Sequence, residues 1–334
     1  MQLRSDFTRD YELERELLAH PALAGGTLQF VRRIPARHSE VLEYGFGSRG
    51  KMRSLFVKQQ VPGANAEQTT LGEFANLARV RTLLGLALGQ SVPEPLLVLP
   101  KRGILVTGKV SGVPLTAILK KYANRLAGPF RTLAVGEMAR HVGMWLRSFQ
   151  DATRGEPVSY SADSYLANLE VRLAECQEKG LEPSLTREIL QRASLRSAPL
   201  NGRLISAAAR HSDFTPQNIL VEDDRIAVVD FEGFCARETV YDDVGMFLGY
   251  LLVLSTRPPY SPRSLNAAHC GFLAGFLAGD SIDETLLNTY LLKGAVSIIA
   301  DGPPQTGSWG RLGAARMLAR RLEDLASGRR ISGS

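Results

Sequence analysis

Apolar residues in this chain follow two different spacings, and the change between them falls close to residue 113. Before it, ELERELLAH (12–20) has helical spacing, and TLQFVRRI, EVLEYGF and MRSLFVKQQ are short runs, β-branched or aromatic and partly alternating. Alternation of period two marks half-buried strands, so these runs predict an antiparallel meander broken at PARHS and GSRGK. EQTTLGEFANLARVRTLLGLAL (67–88) repeats its apolar residues at steps of three and four, which predicts a long amphipathic helix. VPEPLLVLP and RGILVTGKV, parted by a Lys-Arg-Gly turn, add two strands. The expected first lobe spans residues 1–112: a leading helical segment over 1–26, then five strands and one internal helix.

From Pro114 the pattern turns helical. TAILKKYANRL, FRTLAVGEMARHVGMWLRSFQDAT (130–153), SADSYLANLEVRLAECQEKG (161–180) and LTREILQRASLR (185–196) carry helical periodicity, and Trp145 and Met144 are expected in the core. One β signal stands out in this half, NILVE and RIAVVDF on either side of an Asp-Asp turn. VGMFLGYLLVLS, LNAAHCGFLAGFLAG, DETLLNTYLLKGAVSII and RLGAARMLARRLEDLAS then read as helices, with Asp283 an N-cap and RRISGS disordered. The prediction is an α+β chain: a small antiparallel β-rich lobe with one helix, and a larger, mainly helical lobe over 113–330. A hinge near TGKVSG (107–112) would leave a cleft between them, a common place for ligands.

Composition narrows this picture without redrawing it. A chain of 334 residues exceeds the usual size of one core, which favours two lobes. Cys176, Cys235 and Cys270 are odd in number and form no C-x-x-C pair, which argues against a disulfide framework or a structural zinc and fits a reducing cytoplasm. The first residues, MQLRSDFTRDYELERELL, lack an apolar signal-peptide core. The longest apolar stretch, VGMFLGYLLVL (244–254), is short of the ~20 residues a membrane span needs. A cytoplasmic protein with no integral membrane segment is expected. Net charge is +6, but the basic residues are scattered, and Glu323 and Asp324 interrupt the densest run, RMLARRLEDLASGRR (316–330). With neither zinc-finger spacing nor an aromatic RNA-binding signature, no nucleic-acid partner is expected. The oligomeric state stays open.

The stretch HSDFTPQNILVEDDRIAVVDFE (211–232) carries the candidate chemistry. Phosphoryl transfer asks a protein for positioning and charge neutralisation: a carboxylate for the acceptor hydroxyl, oxygen ligands for Mg²⁺, and a braced cation on the nucleotide phosphates. Asp213, with Asn218 five residues later, suits a short loop that offers a carboxylate to a hydroxyl and an amide oxygen to a metal. Asp230 closes the second hairpin strand and returns a carboxylate to that loop; Asn218 with Asp230 suits the sparse protein coordination of Mg²⁺. Upstream, Lys58 ends an apolar strand, and Glu73 or Glu67 is its candidate partner. Glu232 either aids the metal shell or only ends the strand.

HSDFTPQN, followed by a hairpin and VVDFE, resembles the catalytic and metal-binding segments of the aminoglycoside phosphotransferase and choline kinase family, a small-molecule branch of the protein-kinase-like fold. The resemblance is spread over roughly residues 27–255. It implies Asp213 as catalytic base, His211 as structural organiser of the loop, Asn218 and Asp230 as Mg²⁺ ligands, and Lys58 as the phosphate-binding lysine with Glu73 its partner. TGKVSGVPL resembles the hinge whose backbone (Thr107, Gly108, Lys109, Val110) would hydrogen-bond adenine, and YDDVG (241–245) resembles the acidic motif that follows the metal aspartate. Three departures stand out. The first interstrand link, RRIPARHSE (32–40), has no glycine, and the glycines of GFGSRGK (45–51) fall in the second link and read as a plain turn. Ser212 replaces the family's glycine between His and Asp. The metal motif is Asp-Phe-Glu, which disfavours a protein substrate. The expected activity is ATP- and Mg²⁺-dependent phosphorylation of a small-molecule hydroxyl on a sugar, polyol, amino alcohol or aminoglycoside-like acceptor. Beyond Asp280, Asp283, Glu284 and Asp301 this basic chain shows no carboxylate cluster, which favours a neutral or anionic acceptor. The alternative is a catalytically silent nucleotide-binding scaffold on the same fold.

Overall fold

In a computed structural model, residues 10–302 are described, apart from 36–38, 49, 62, 64 and 127, together with Arg320 and Asp324. The helix expected over 311–327 and the RRISGS tail therefore lie outside the described residues, but for those two. The chain divides into two compact units: Met1–Ser111 with Asp230–Glu232, and Gly112–Val229 with Gly233–Ser334.

The first unit opens with α1 (Tyr11–Ala19), capped by the Asp10 carboxylate on the Leu13 amide at 2.8 Å. β1 (Thr27–Pro35), β2 (Ser39–Ser48) and β3 (Lys51–Gln60) form the meander, α2 (Ala66–Gly89) follows, and β4 (Pro95–Leu99) and β5 (Ile104–Gly108) complete a sheet of order β1-β2-β3-β5-β4. Leu42, Tyr44 and Phe46 of β2, Leu55 and Val57 of β3, and Ile104 and Val106 of β5 pack with Leu13 and Leu17 of α1 into one buried cluster. Side chains alternate across a sheet, so Phe56 and Lys58 project from the other face. Gly50, at φ 75, makes the tight turn into β3; Gly45 and Gly47 lie within β2.

The second unit contains β6 (Val113–Pro114), α3 (Leu115–Tyr122), α4 (Pro129–Ala152), β7 (Gly155–Ser159), α5 (Ala162–Glu178), α6 (Pro183–Ser197) and β8 (Leu204–Arg210). The hairpin β9 (Ile219–Glu222) and β10 (Arg225–Val228) follows, then β11 (Cys235–Thr239), α7 (Tyr241–Ser255), α8 (Pro262–Leu277) and α9 (Glu284–Asp301). The hairpin is not the unit's whole β content, as the sequence pattern suggested. It pairs with β6, and β11-β8-β7 form a second three-stranded sheet. LISAAAR is alanine-rich, and its neighbours are five residues each, so neither shows a strand-like run in the sequence. Asp283 does cap α9, accepting from the Thr285 and Leu286 amides.

Close helix contacts organise this unit. Along α4 and α8, a Cβ on Gly143 would run into the Phe272 carbonyl oxygen, and one on Gly275 into that of Arg140. Gly143→Ala is therefore expected to force backbone movement and cost about 3 kcal/mol, read as a Tm several degrees lower in thermal denaturation. Trp145 is buried and stacks on Phe149 and on Phe214, at 5.4 and 5.8 Å between centroids. Met144, one residue along the helix, turns outward instead of into the core and is 45% exposed.

Candidate active site

Lys58 holds its place through two forces of opposite origin. The strand pairs it with Val41 on one side and Leu105 on the other, so its stem lies among apolar neighbours. Its ammonium is then drawn to carboxylates: Nζ lies 3.0 and 2.9 Å from the two Glu73 oxygens, 2.7 Å from Asp230 Oδ1 and 3.7 Å from Glu232. Burial opposes the charge, but Glu73 and Asp230 outweigh it and raise the lysine pKa above its ordinary value. Of the two acids left open by sequence, Glu73 pairs with Lys58 and Glu67 is exposed. The helix register explains why. Thr70, Glu73, Leu77, Val80 and Leu84 form the buried stripe of α2, and Glu67 falls off it. Asn76, one turn beyond Glu73, donates from its amide to the carbonyls of Phe231 (3.0 Å) and Glu232 (3.3 Å), which steadies the segment carrying Asp230.

In the second unit, the loop after β8 is braced from within. Asp243, at 1% exposed, accepts the His211 amide on Oδ2 (2.7 Å) and the Ser212 amide on Oδ1 (3.0 Å). Burial pushes its carboxyl up to about 7 against the pull of those amides. His211 is fully buried; Nδ1 accepts the Asp213 amide (3.3 Å), so Nε2 carries the proton and donates to the Val229 carbonyl at 2.9 Å. The imidazole is thereby spent on shaping the loop. Phe214 anchors the far side in the Trp145 stack. Asp213 itself is exposed, and Asn218 Nδ2 fixes its direction, donating to Oδ2 (2.8 Å) and to the backbone oxygen (3.0 Å).

These contacts bear on a metal. Asn218 commits its NH₂ group to Asp213, which leaves the amide oxygen as its donor atom, and Asp230 binds Lys58 through Oδ1 only. An amide oxygen and a carboxylate oxygen are hard ligands of the kind Mg²⁺ takes when phosphate and water complete its shell. The Val229 amide donates to the Asn218 carbonyl (2.9 Å), and Asp230 is the next residue in the chain. Glu73, Asp230 and Glu232 also lie close enough together to suggest a metal cluster. There, however, the Lys58 ammonium already takes the central position, which makes that trio the setting of a cation the protein carries itself.

Among the hinge residues, Thr107 and Gly108 end β5, the Gly108 amide donates to the Glu94 carbonyl (2.8 Å), and the Lys109 amide donates to that of Ser54 (3.1 Å). Val110 takes no backbone partner among the described residues. Three features escaped the sequence reading. Glu43, on a strand where it passes for a solvent-facing residue, is buried between Arg32 Nε (2.6 Å) and Lys109 Nζ (2.8 Å). Asp242 bridges Arg210 (2.5 Å) and Lys293 (2.7 Å), and Asp243 braces the loop, so both acids of YDDVG face the protein's own groups. Arg210 Nε in turn donates to Ser212 Oγ at 2.9 Å.

Comparison with known proteins bears on the family and the fold. Residues 41–278 match the model of the phosphotransferase enzyme family. A choline/ethanolamine kinase family protein from Mesorhizobium loti shares the fold at TM-score 0.55 and 15% identity, over 94% of this chain and 93% of that one. An amicoumacin kinase, hAmiN, in complex with AMP-PNP, Ca²⁺ and Ami, gives 0.56 and 16%, over 96% and 94%. The ADP-bound aminoglycoside phosphotransferase APH(2'')-Ib gives 0.53 and 11%, over 95% and 99%. No curated protein sequence matches significantly. The α+β, two-lobed protein-kinase-like fold read from the sequence is the fold these structures share. No helix among the described residues is long and apolar enough to cross a membrane.

Proposed function

The chain belongs to the phosphotransferase enzyme family, and from that premise we propose that it transfers the γ-phosphoryl group of ATP, with Mg²⁺, to a hydroxyl of a small molecule. The observation that carries this reading is Lys58 gripped by Glu73 and Asp230, a half-buried cation fixed in place by two carboxylates. Lys58 would neutralise donor phosphate oxygens as Glu73 keeps the ammonium aimed. Asp213, oriented by Asn218, would align the acceptor hydroxyl and take its proton as the new P–O bond forms and the bond to ADP breaks. Asn218 and Asp230 would each give one oxygen to Mg²⁺, which when bound neutralises charge on the phosphate oxygens. The Val110 amide, which takes no backbone partner among the described residues, would be the hinge group for the nucleobase.

The acceptor's surroundings support an anionic or neutral molecule. Tyr250 is raised by burial and Tyr260, and it also feels Arg257 and Asp213 and bonds with Gln217. Tyr250 therefore shares its surroundings with Asp213, Gln217, Tyr260 and Arg257. Three of the four acids that could have drawn a polycation elsewhere pair with arginines: Asp280 with Arg147, Asp283 with Arg203, Asp301 with Arg172. Nucleotide turnover measured against sugars, polyols, amino alcohols, their anionic derivatives and aminoglycosides, with and without Mg²⁺, tests the reading. Magnesium-dependent turnover highest with an anionic or neutral acceptor is expected. Turnover with none of them, together with an ATP thermal shift indifferent to Mg²⁺, would leave the silent nucleotide-binding scaffold as the function.

A further inference from the structure

Ser212 sits at φ 79, a conformation that glycine enters freely and other residues rarely adopt. Its side chain has work that glycine could not do. The hydroxyl accepts from Arg210 Nε at 2.9 Å and donates to the Gly233 carbonyl, and Arg210 is itself held by Asp242 at 2.5 Å. The approach is close enough that a Cβ on Gly233 would come within 2.9 Å of the Ser212 Cβ. At the other end of the Asp-Phe-Glu segment, His211 Nε2 holds the Val229 carbonyl and the Asn218 carbonyl holds the Val229 amide, both at 2.9 Å. Residues 229 and 233 are thus fastened by one loop, and between them stands Asp230, itself in the left-handed region at φ 68.

We infer that Ser212 is a positioning residue for the metal ligand: its hydroxyl, oriented by Arg210, fixes the far end of the segment that presents Asp230 and thereby sets the affinity for Mg²⁺. This rests on the metal and donor roles proposed above. Three substitutions separate the hydroxyl from the backbone conformation. Ser212→Gly removes both hydroxyl and strain, Ser212→Ala removes only the hydroxyl, and Ser212→Thr keeps it while adding a β-branch at positive φ. The readouts are the Mg²⁺ concentration that half-saturates the thermal shift given by AMP-PNP, and the Tm without ligand. Partners of a metal ligand typically tune affinity by ~10-fold or more. Ser212→Gly and Ser212→Ala are accordingly expected to need about tenfold more Mg²⁺, with Ser212→Thr close to wild type. Tm without ligand should follow the other order, Ser212→Gly at or above wild type and Ser212→Thr below it. If the magnesium requirement tracks Tm instead of the hydroxyl, or does not change in Ser212→Gly, the role assigned to Ser212 is overturned. Should the wild-type protein show no magnesium-dependent response to AMP-PNP, the donor-site reading fails first, and this inference with it.

Discussion

Asp213→Asn is expected to lower phosphoryl transfer by ~10²–10⁴-fold, the range a positioned general base supplies, while ATP binding persists. The substitution changes little besides basicity. Asn218 donates to Asp213 Oδ2 at 2.8 Å and to its backbone oxygen at 3.0 Å, and an asparagine still offers one oxygen to that amide. What it cannot do is accept the acceptor's proton. Lys58, Glu73 and Asp230 belong to the contacts of the other unit and keep their mutual bonds. Turnover and ATP thermal shift measured on the same sample check this. Transfer within tenfold of wild type would show that another group takes the proton.

Asp230→Asn is the second large effect, and it acts on the donor. Asparagine tolerates the left-handed conformation that Asp230 adopts, and the side chain is 39% exposed, so the fold should bear the change. The lost charge removes one of the two close carboxylates on Lys58, with Glu73 remaining, and removes the anionic metal ligand proposed here. A metal ion contributes several kcal/mol of charge stabilisation in such reactions, and ~4 kcal/mol is a factor of ~10³ in rate. Transfer should fall at least that far, and the part of the ATP thermal shift that depends on Mg²⁺ should vanish while the metal-independent part stays. If the magnesium-dependent part survives, Asp230 is not the ligand.

The sequence was legible wherever one spacing dominated. The β1–β3 meander, α2, the hairpin and the helices from α3 to α9 lie where apolar residues put them, most by burying one face within their own unit and α7 and α9 by burying nearly every side. Asp213, Asn218 and Asp230 were readable as candidates from their order alone, since loop length limits where a carboxylate and an amide can point. Glu73 against Glu67 was open at first, yet its position on the Thr70–Leu77–Val80 stripe held the answer. Other features depend on partners far along the chain. Glu43 is buried because Arg32 and Lys109 meet it, and nothing in EVLEYGF announces either one. LISAAAR becomes a strand only because β7 and β11 flank it. The glycines of α4 and α8 read as plain small residues until the two backbones touch.

The first unit is not one continuous stretch of chain: Asp230–Glu232 complete it, and residues 112–229 intervene. A protein made from its N-terminus builds early domains before later ones exist. As this chain emerges, β1 to β5 and α2 are finished while Lys58 has Glu73 but not yet Asp230. The lysine thus waits with a single carboxylate until the ribosome has passed the hairpin. The complete charge set around Lys58 is therefore among the last parts of the first unit to be assembled, and whatever reads it reads a chain synthesised well past its own domain boundary.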